Sequence, residues 1–261
     1  MVVPCLKKDK GSIMADWNDN QRTRQDFGSV PRAGGEVTYD EGLRSYMLKI
    51  YNYMSSAVLL TGLVAILFSW GGVDSMAYSI AVNGGLLFWA IKLAPLGFIL
   101  AMSFGLNKMS QTTLQIVFWA FAIVMGMSMS TIFLVYTGES IATTFFATAA
   151  AFAGLSLYGY TTKKDLSGFG SFLIMGVIGL IIATVVNIFL QSEAMAFVIS
   201  GLGVLIFAGL TAYDTQRLKN DYQYLRGTQM MGKAVIMGAT SLYLDFVNMF
   251  MFLLQFLGSR E

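Results

Sequence analysis

Two aspartates carry the chemistry this sequence offers. Asp214 stands in GLTAYDTQRLK (residues 209–219) and Asp245 in SLYLDFVNMFMFLLQFLG (residues 241–258), each inside a run otherwise suited to lipid or protein interior. A charge at the centre of a bilayer costs on the order of 2.5 to 3.5 kcal/mol on insertion scales, so such residues face inward and find partners. Should the two carboxylates meet at low dielectric, they cannot both ionise cheaply; they share a proton and titrate as a unit. Loss of that proton leaves a repulsion that opens the surrounding helices or admits a hard cation held by oxygen, calcium in preference to magnesium where the site is flexible.

Polar neighbours at helical spacing mark a polar face around the pair. Ser241 falls four residues before Asp245 and Asn248 three after it, and Thr211 falls three before Asp214. Asn187, Ser128, Ser130 and Thr131 are further hydrogen-bond candidates in other apolar runs. Each acid also has a plainer reading. Asp214 can form an interfacial salt bridge to Arg217, three residues on, and Asp245 can be a protonated acid hydrogen-bonded for packing. Lys92, in FWAIKLAPLGF beside Pro95, either neutralises Asp245 or snorkels to the membrane surface.

The elements that must position these residues are legible from composition. Of the 261 residues 56% are hydrophobic and 12% charged, against roughly a quarter charged in a soluble domain. Seven apolar runs are long enough to cross a hydrocarbon core about 30 Å thick: residues 46–70, 84–105, 112–136, 141–160, 169–190, 194–214 and 234–258. The expected fold is an all-α membrane protein, a seven-transmembrane-helix bundle over residues 46–258. A polar tail of residues 1–45 precedes it and a short end of residues 259–261 follows. Glycines within the runs, among them Gly176, Gly179, Gly201, Gly203 and Gly209, let helices approach closely.

Several function classes are disfavoured. Cys5 is the single cysteine and histidine is absent, so no disulfide framework, thiolate cluster or imidazole chemistry is expected. The net charge of +2 is spread over the ends of apolar runs rather than gathered in a stripe, which argues against a nucleic-acid partner. The polar leader has no apolar core of the signal-peptide kind, and MADWN at Met14 reads as an alternative start.

Lysine and arginine set the orientation, since cytoplasmic ends carry their excess. The tail holds Lys7, Lys8, Lys10, Arg22, Arg24, Arg32 and Arg44, with Lys49 at the edge of the first run. Alternate loops hold Lys108, then Lys163 and Lys164, then Arg217, Lys219, Arg226 and Lys233, whereas the opposite loops carry Asp74, Glu139 and Glu193. The N-terminus is therefore expected in the cytoplasm and the C-terminus outside. A re-entrant last segment, suggested by Asp245 in its middle and Arg260 beyond it, is the alternative.

The stretches LYGYTTKKDLSGFGSFLIMGVIGLIIATVVNIFL, GLTAYDTQRLK and SLYLDFVNMFMFLLQFLG, in that order, resemble the Bax inhibitor family of multi-pass membrane proteins and its bacterial members. The resemblance covers the chain from about Arg44 to Gly258. It implies a seven-helix bundle with the last helix central and a pH-sensitive calcium leak governed by an aspartate pair, which falls on Asp214 and Asp245. It also implies a second-helix arginine latching the sixth-helix aspartate. This chain has no arginine there, and Lys92 is the cation within that run.

The leading expectation is thus a calcium leak channel of a bacterial inner membrane, with calcium and protons competing for the pair and no bound cofactor. The alternative is a non-conducting regulator of a membrane-bound ATP-dependent protease, or of another integral protein, acting through the tail. A proton-coupled transporter is a third. Catalysis is not expected: intramembrane aspartyl proteases pair a Tyr-Asp with a Gly-x-Gly-Asp, and Asp245 instead follows Leu242, Tyr243 and Leu244.

Overall fold

The computed structural model describes the backbone of residues 33–259 and the side chains of residues 41–259. By its contacts the chain divides into residues 1–42 and residues 43–261. The sequence-based readings of Cys5, Met14, Arg260 and most of the polar tail lie outside the described residues.

Among the described residues there are eight α-helices: α1 (Ala33–Ser69), α2 (Met76–Asn83), α3 (Gly85–Gly105), α4 (Gln111–Met129), α5 (Gly138–Thr161), α6 (Ser167–Leu190), α7 (Glu193–Leu225) and α8 (Met231–Leu257). Seven contain a segment long and apolar enough to cross a membrane. The exception is α2, whose eight residues are too short. It lies between the first two spans and shows no 20-residue signal in the sequence.

Helix starts follow local chemistry. Ser75, Ser110, Thr137 and Ser192 each accept a backbone N–H three residues on, at 3.1, 3.1, 3.3 and 3.3 Å, which satisfies an orphan donor of the first turn. The junction between α2 and α3 is made by Gly84 and Gly85, with φ of +58° and +76°, a conformation glycine adopts without a Cβ penalty.

Two boundaries differ from the sequence reading. The helix carrying the first span begins at Ala33, ahead of the apolar run: no proline follows Pro31 there to remove a backbone donor, although Gly34, Gly35 and Gly42 weaken the stretch. The sixth span was expected to end at Asp214, yet α7 continues to Leu225, so Asp214 lies within a helix rather than at its end.

Packing concentrates on α7 and α8. α7 packs along α8, α5 and α6, and α8 also meets α5 and α4. The last helix is the most enclosed: 67% of its most apolar window is buried, against 11 to 33% for the other six. The faces of α3 and α6 that carry Leu86, Leu93, Ile178, Ile181 and Phe189 are exposed, as apolar surfaces toward lipid must be. Last, α8 is one continuous helix of 27 residues, about 40 Å at 1.5 Å per residue, long enough for a full crossing.

Candidate functional site

The site forms where α7 lies against its neighbours at close range. A Cβ at Gly159 of α5 would collide with the carbonyl of Ala212, and one at Gly170 of α6 with the ring of Tyr213. These glycines let α5 and α6 close on the turn that carries Asp214, which is only 7% exposed. Its Oδ1 lies 3.2 Å from Nη1 of Arg217, one turn along the same helix. The Nη2 of Arg217 donates to Ser241 Oγ on α8 at 3.3 Å, so the guanidinium links Asp214 to the helix that carries Asp245.

Asp245 is 5% exposed. Its Oδ2 is buried and has no hydrogen-bond partner among the described residues. Asp214 and Arg217 are the ionisable neighbours of Asp245, and Arg217 and Asp221 those of Asp214. The two carboxylates therefore lie within electrostatic reach of each other, and the half-exposed Arg217 bonds to Asp214 and to Ser241 of α8. Tyr46 of α1 closes the same region. Its ring packs 5.4 Å from that of Tyr222, Asp221 and Arg217 are its charged neighbours, and its Oη is buried without a hydrogen bond.

The remaining sequence candidates divide. Thr211 Oγ1 donates to Phe207 O at 2.8 Å and Asn248 Nδ2 to Leu244 O at 2.8 Å; both spend their protons on their own helix. Asn187 is elsewhere: its Oδ1 accepts from Ser192 N at 3.1 Å in the turn between α6 and α7, roughly 30 Å along α7 from Asp214. Lys92 belongs to the other half of the bundle. Its Nζ donates to Ser128 O at 2.7 Å and to Thr131 Oγ1 at 2.9 Å, where a cation meets the partial negative charge of a helix end. It neither neutralises Asp245 nor reaches free to the surface, because the end of α4 supplies better partners than either.

The sequence reading missed Gln216, Thr61 and Tyr243. Gln216, buried beside the salt bridge, donates to Lys164 O at 2.7 Å and accepts from Leu166 N at 2.8 Å, pinning the loop between α5 and α6. Thr61 donates to Ala122 O at 2.9 Å and meets Tyr243 Oη at 2.7 Å, tying α1 and α4 to α8. A lone Thr61 in VLLTGLV is a signal of sorts; nothing in the sequence says which helix it reaches. Among the described residues no three of Cys, Asp and Glu come together, so the acids offer two carboxylates rather than a closed cage.

A bundle of seven apolar spans with buried acids on two packed helices defines a multi-pass helical membrane protein. Residues 43–261 match the family described as inhibitor of apoptosis-promoting Bax1, and the chain belongs to this Bax inhibitor family. An uncharacterised protein of Rickettsia prowazekii is 48% identical over 226 residues, covering 86% of this chain and 93% of its own length. One from Caulobacter vibrioides is 45% identical over 241 residues (89% and 96%). The inner membrane protein YbhL of Escherichia coli is 40% identical over 234 residues (88% and 98%).

Proposed function

We propose that this protein is a pH-sensitive calcium leak channel of a bacterial inner membrane, gated by proton sharing between Asp214 and Asp245. The observation that carries the reading is the burial of both carboxylates on adjacent helices within electrostatic reach, Asp245 having an oxygen without a hydrogen bond. Two such groups at low dielectric favour a shared proton. As pH rises and that proton leaves, the pair repels, α7 and α8 separate, and calcium passes as cargo along a path of carboxylate oxygens. The acids act in gating and not in catalysis, and no bound cofactor is invoked. The inner-membrane location is supported by the bacterial relatives and by the description of YbhL.

The test is calcium influx into sealed proteoliposomes from mildly acidic to mildly alkaline pH. Influx should rise with pH in the natural protein and lose that dependence in Asp214→Asn and in Asp245→Asn. No influx above empty liposomes at any pH would sink the leak reading. A second reading, a non-conducting regulator of a membrane-bound protease or other integral protein, is favoured by the division of the chain after residue 42. Deleting residues 1–32 distinguishes the two, since a leak formed by the spans survives the loss and a tail-borne interaction does not.

A further inference from the structure

We infer that a cleft between α1 and α5, backed by α8, holds one acyl chain of a bilayer phospholipid. The cleft has a volume of about 310 Å³ and is lined by Val58, Gly62, Ala142, Phe145, Val247 and Phe250, among other apolar residues. It lies in the half of the bundle away from Arg217, near the ends of α1 and α4 and the start of α5. Thr61 is the polar side chain in its wall, and the Thr61 hydroxyl is already engaged by Ala122 O and Tyr243 Oη. The wall therefore offers a ligand contact by dispersion alone.

Size and setting select the occupant. Water would fill the space as about ten molecules at roughly 30 Å³ each, and apolar cavities stay dry because such water lacks partners. A single helical turn, a cylinder about 10 Å across and 5.4 Å long, already fills about 420 Å³, more than the cleft offers. The cleft also reaches the outer surface of the bundle, where Ile66 and Phe146 of its rim are 44% and 71% exposed. Both rim residues belong to apolar spans, whose outer faces meet hydrocarbon. The glycines complete the argument: a Cβ built at Gly62 or at Gly138 meets nothing within 4 Å, so the wall is recessed on two sides. A slender chain from the adjoining leaflet restores the dispersion contacts that an open wall forfeits.

The test uses the full chain in phosphatidylcholine vesicles containing a phosphatidylcholine with a diazirine on one acyl chain, with photoadducts mapped by mass spectrometry. Val247 and Phe250 are each 5% exposed, whereas Phe172 on α6 is 62% exposed, so only a chain inside the cleft reaches the first two while ordinary boundary lipid reaches the third. Adducts are expected on Val247 and Phe250 as well as on Phe172. In Gly62→Leu, and independently in Ala142→Leu, those on Val247 and Phe250 should fall about tenfold while those on Phe172 persist. Adducts confined to exposed residues in the natural protein would overturn the inference, and that map stands even if neither filled variant folds. Cleft adducts that persist in a folded filled variant would overturn it too. So would labelling of the cleft by a diazirine fatty acid but not by the phospholipid, which would assign the cleft to a free acid instead.

Discussion

Thr61 and Tyr243 show how one proton decides the worth of a buried pair. Thr61 has a single hydroxyl proton and gives it to Ala122 O, so the 2.7 Å contact is a donation from Tyr243 Oη to Thr61. The two conservative deletions are therefore unequal. Tyr243→Phe leaves Thr61 its carbonyl partner and should cost about 0.6 to 1.7 kcal/mol, the range for single interhelical bonds in membranes. Thr61→Val strands the Tyr243 hydroxyl, which is fully buried, and should cost about 1 to 3 kcal/mol. Reversible unfolding in mixed micelles measures both, and a larger loss for Tyr243→Phe would refute the assignment of the donor. At this scale the sequence was informative about rare residues and silent about common ones. An aspartate in an apolar run announces itself by its cost, whereas Thr61, Gln216 and Tyr243 are ordinary residues whose partners lie 182 or 52 positions away in the chain.

The helices obey a rule that glycine content alone does not reveal. Of the glycines read as packing positions, a Cβ added at Gly203 would stand 2.5 Å from Phe252, one at Gly209 3.0 Å from Leu173 and one at Gly176 2.9 Å from Ile206, whereas Gly179 has open space where its Cβ would stand. Gly201 is intermediate, with Phe256 at 3.5 Å. The tightest approach of α7 uses Gly159, against the backbone of Ala212, and backbone cannot swing aside. Gly159→Ala should force α5 from α7 and destabilise by about 1 to 3 kcal/mol, while Gly179→Ala should be neutral or stabilise by up to about 1 kcal/mol. Thermal unfolding of the two variants in one detergent tests the contrast, and equal effects would contradict the packing described. Span number and approximate bounds were readable because hydropathy reports lipid contact along twenty residues. The length of α7 was not, since beyond Asp214 its sequence turns polar while the helix continues.

On the scale of the whole molecule, charge bias and helix number together make a topological statement. If all seven candidate spans cross, the two ends of the helical unit stand on opposite sides, and the basic residues gather at the ends of α3, α5 and α7 and the start of α8. With the N-terminus in the cytoplasm, alkaline phosphatase fused after Glu261 should be active in cells and a green fluorescent reporter at the same place dark; the reverse pattern would invert the proposed orientation. The same basic residues have a second role in the folded protein. Lys219 donates to Tyr160 O at 2.7 Å and Lys233 to Leu106 O at 2.9 Å, each fastening the carboxyl end of another helix. With that orientation, these lysines serve in sequence during biogenesis: first as unattached charges that hold a segment back from crossing, and only later, once α5 and α3 have docked, as bolts at the ends of those helices. A lysine fastened to a neighbour's carbonyl keeps its charge and loses its freedom, so the finished protein holds at fixed points charges that its nascent chain carried on mobile side chains.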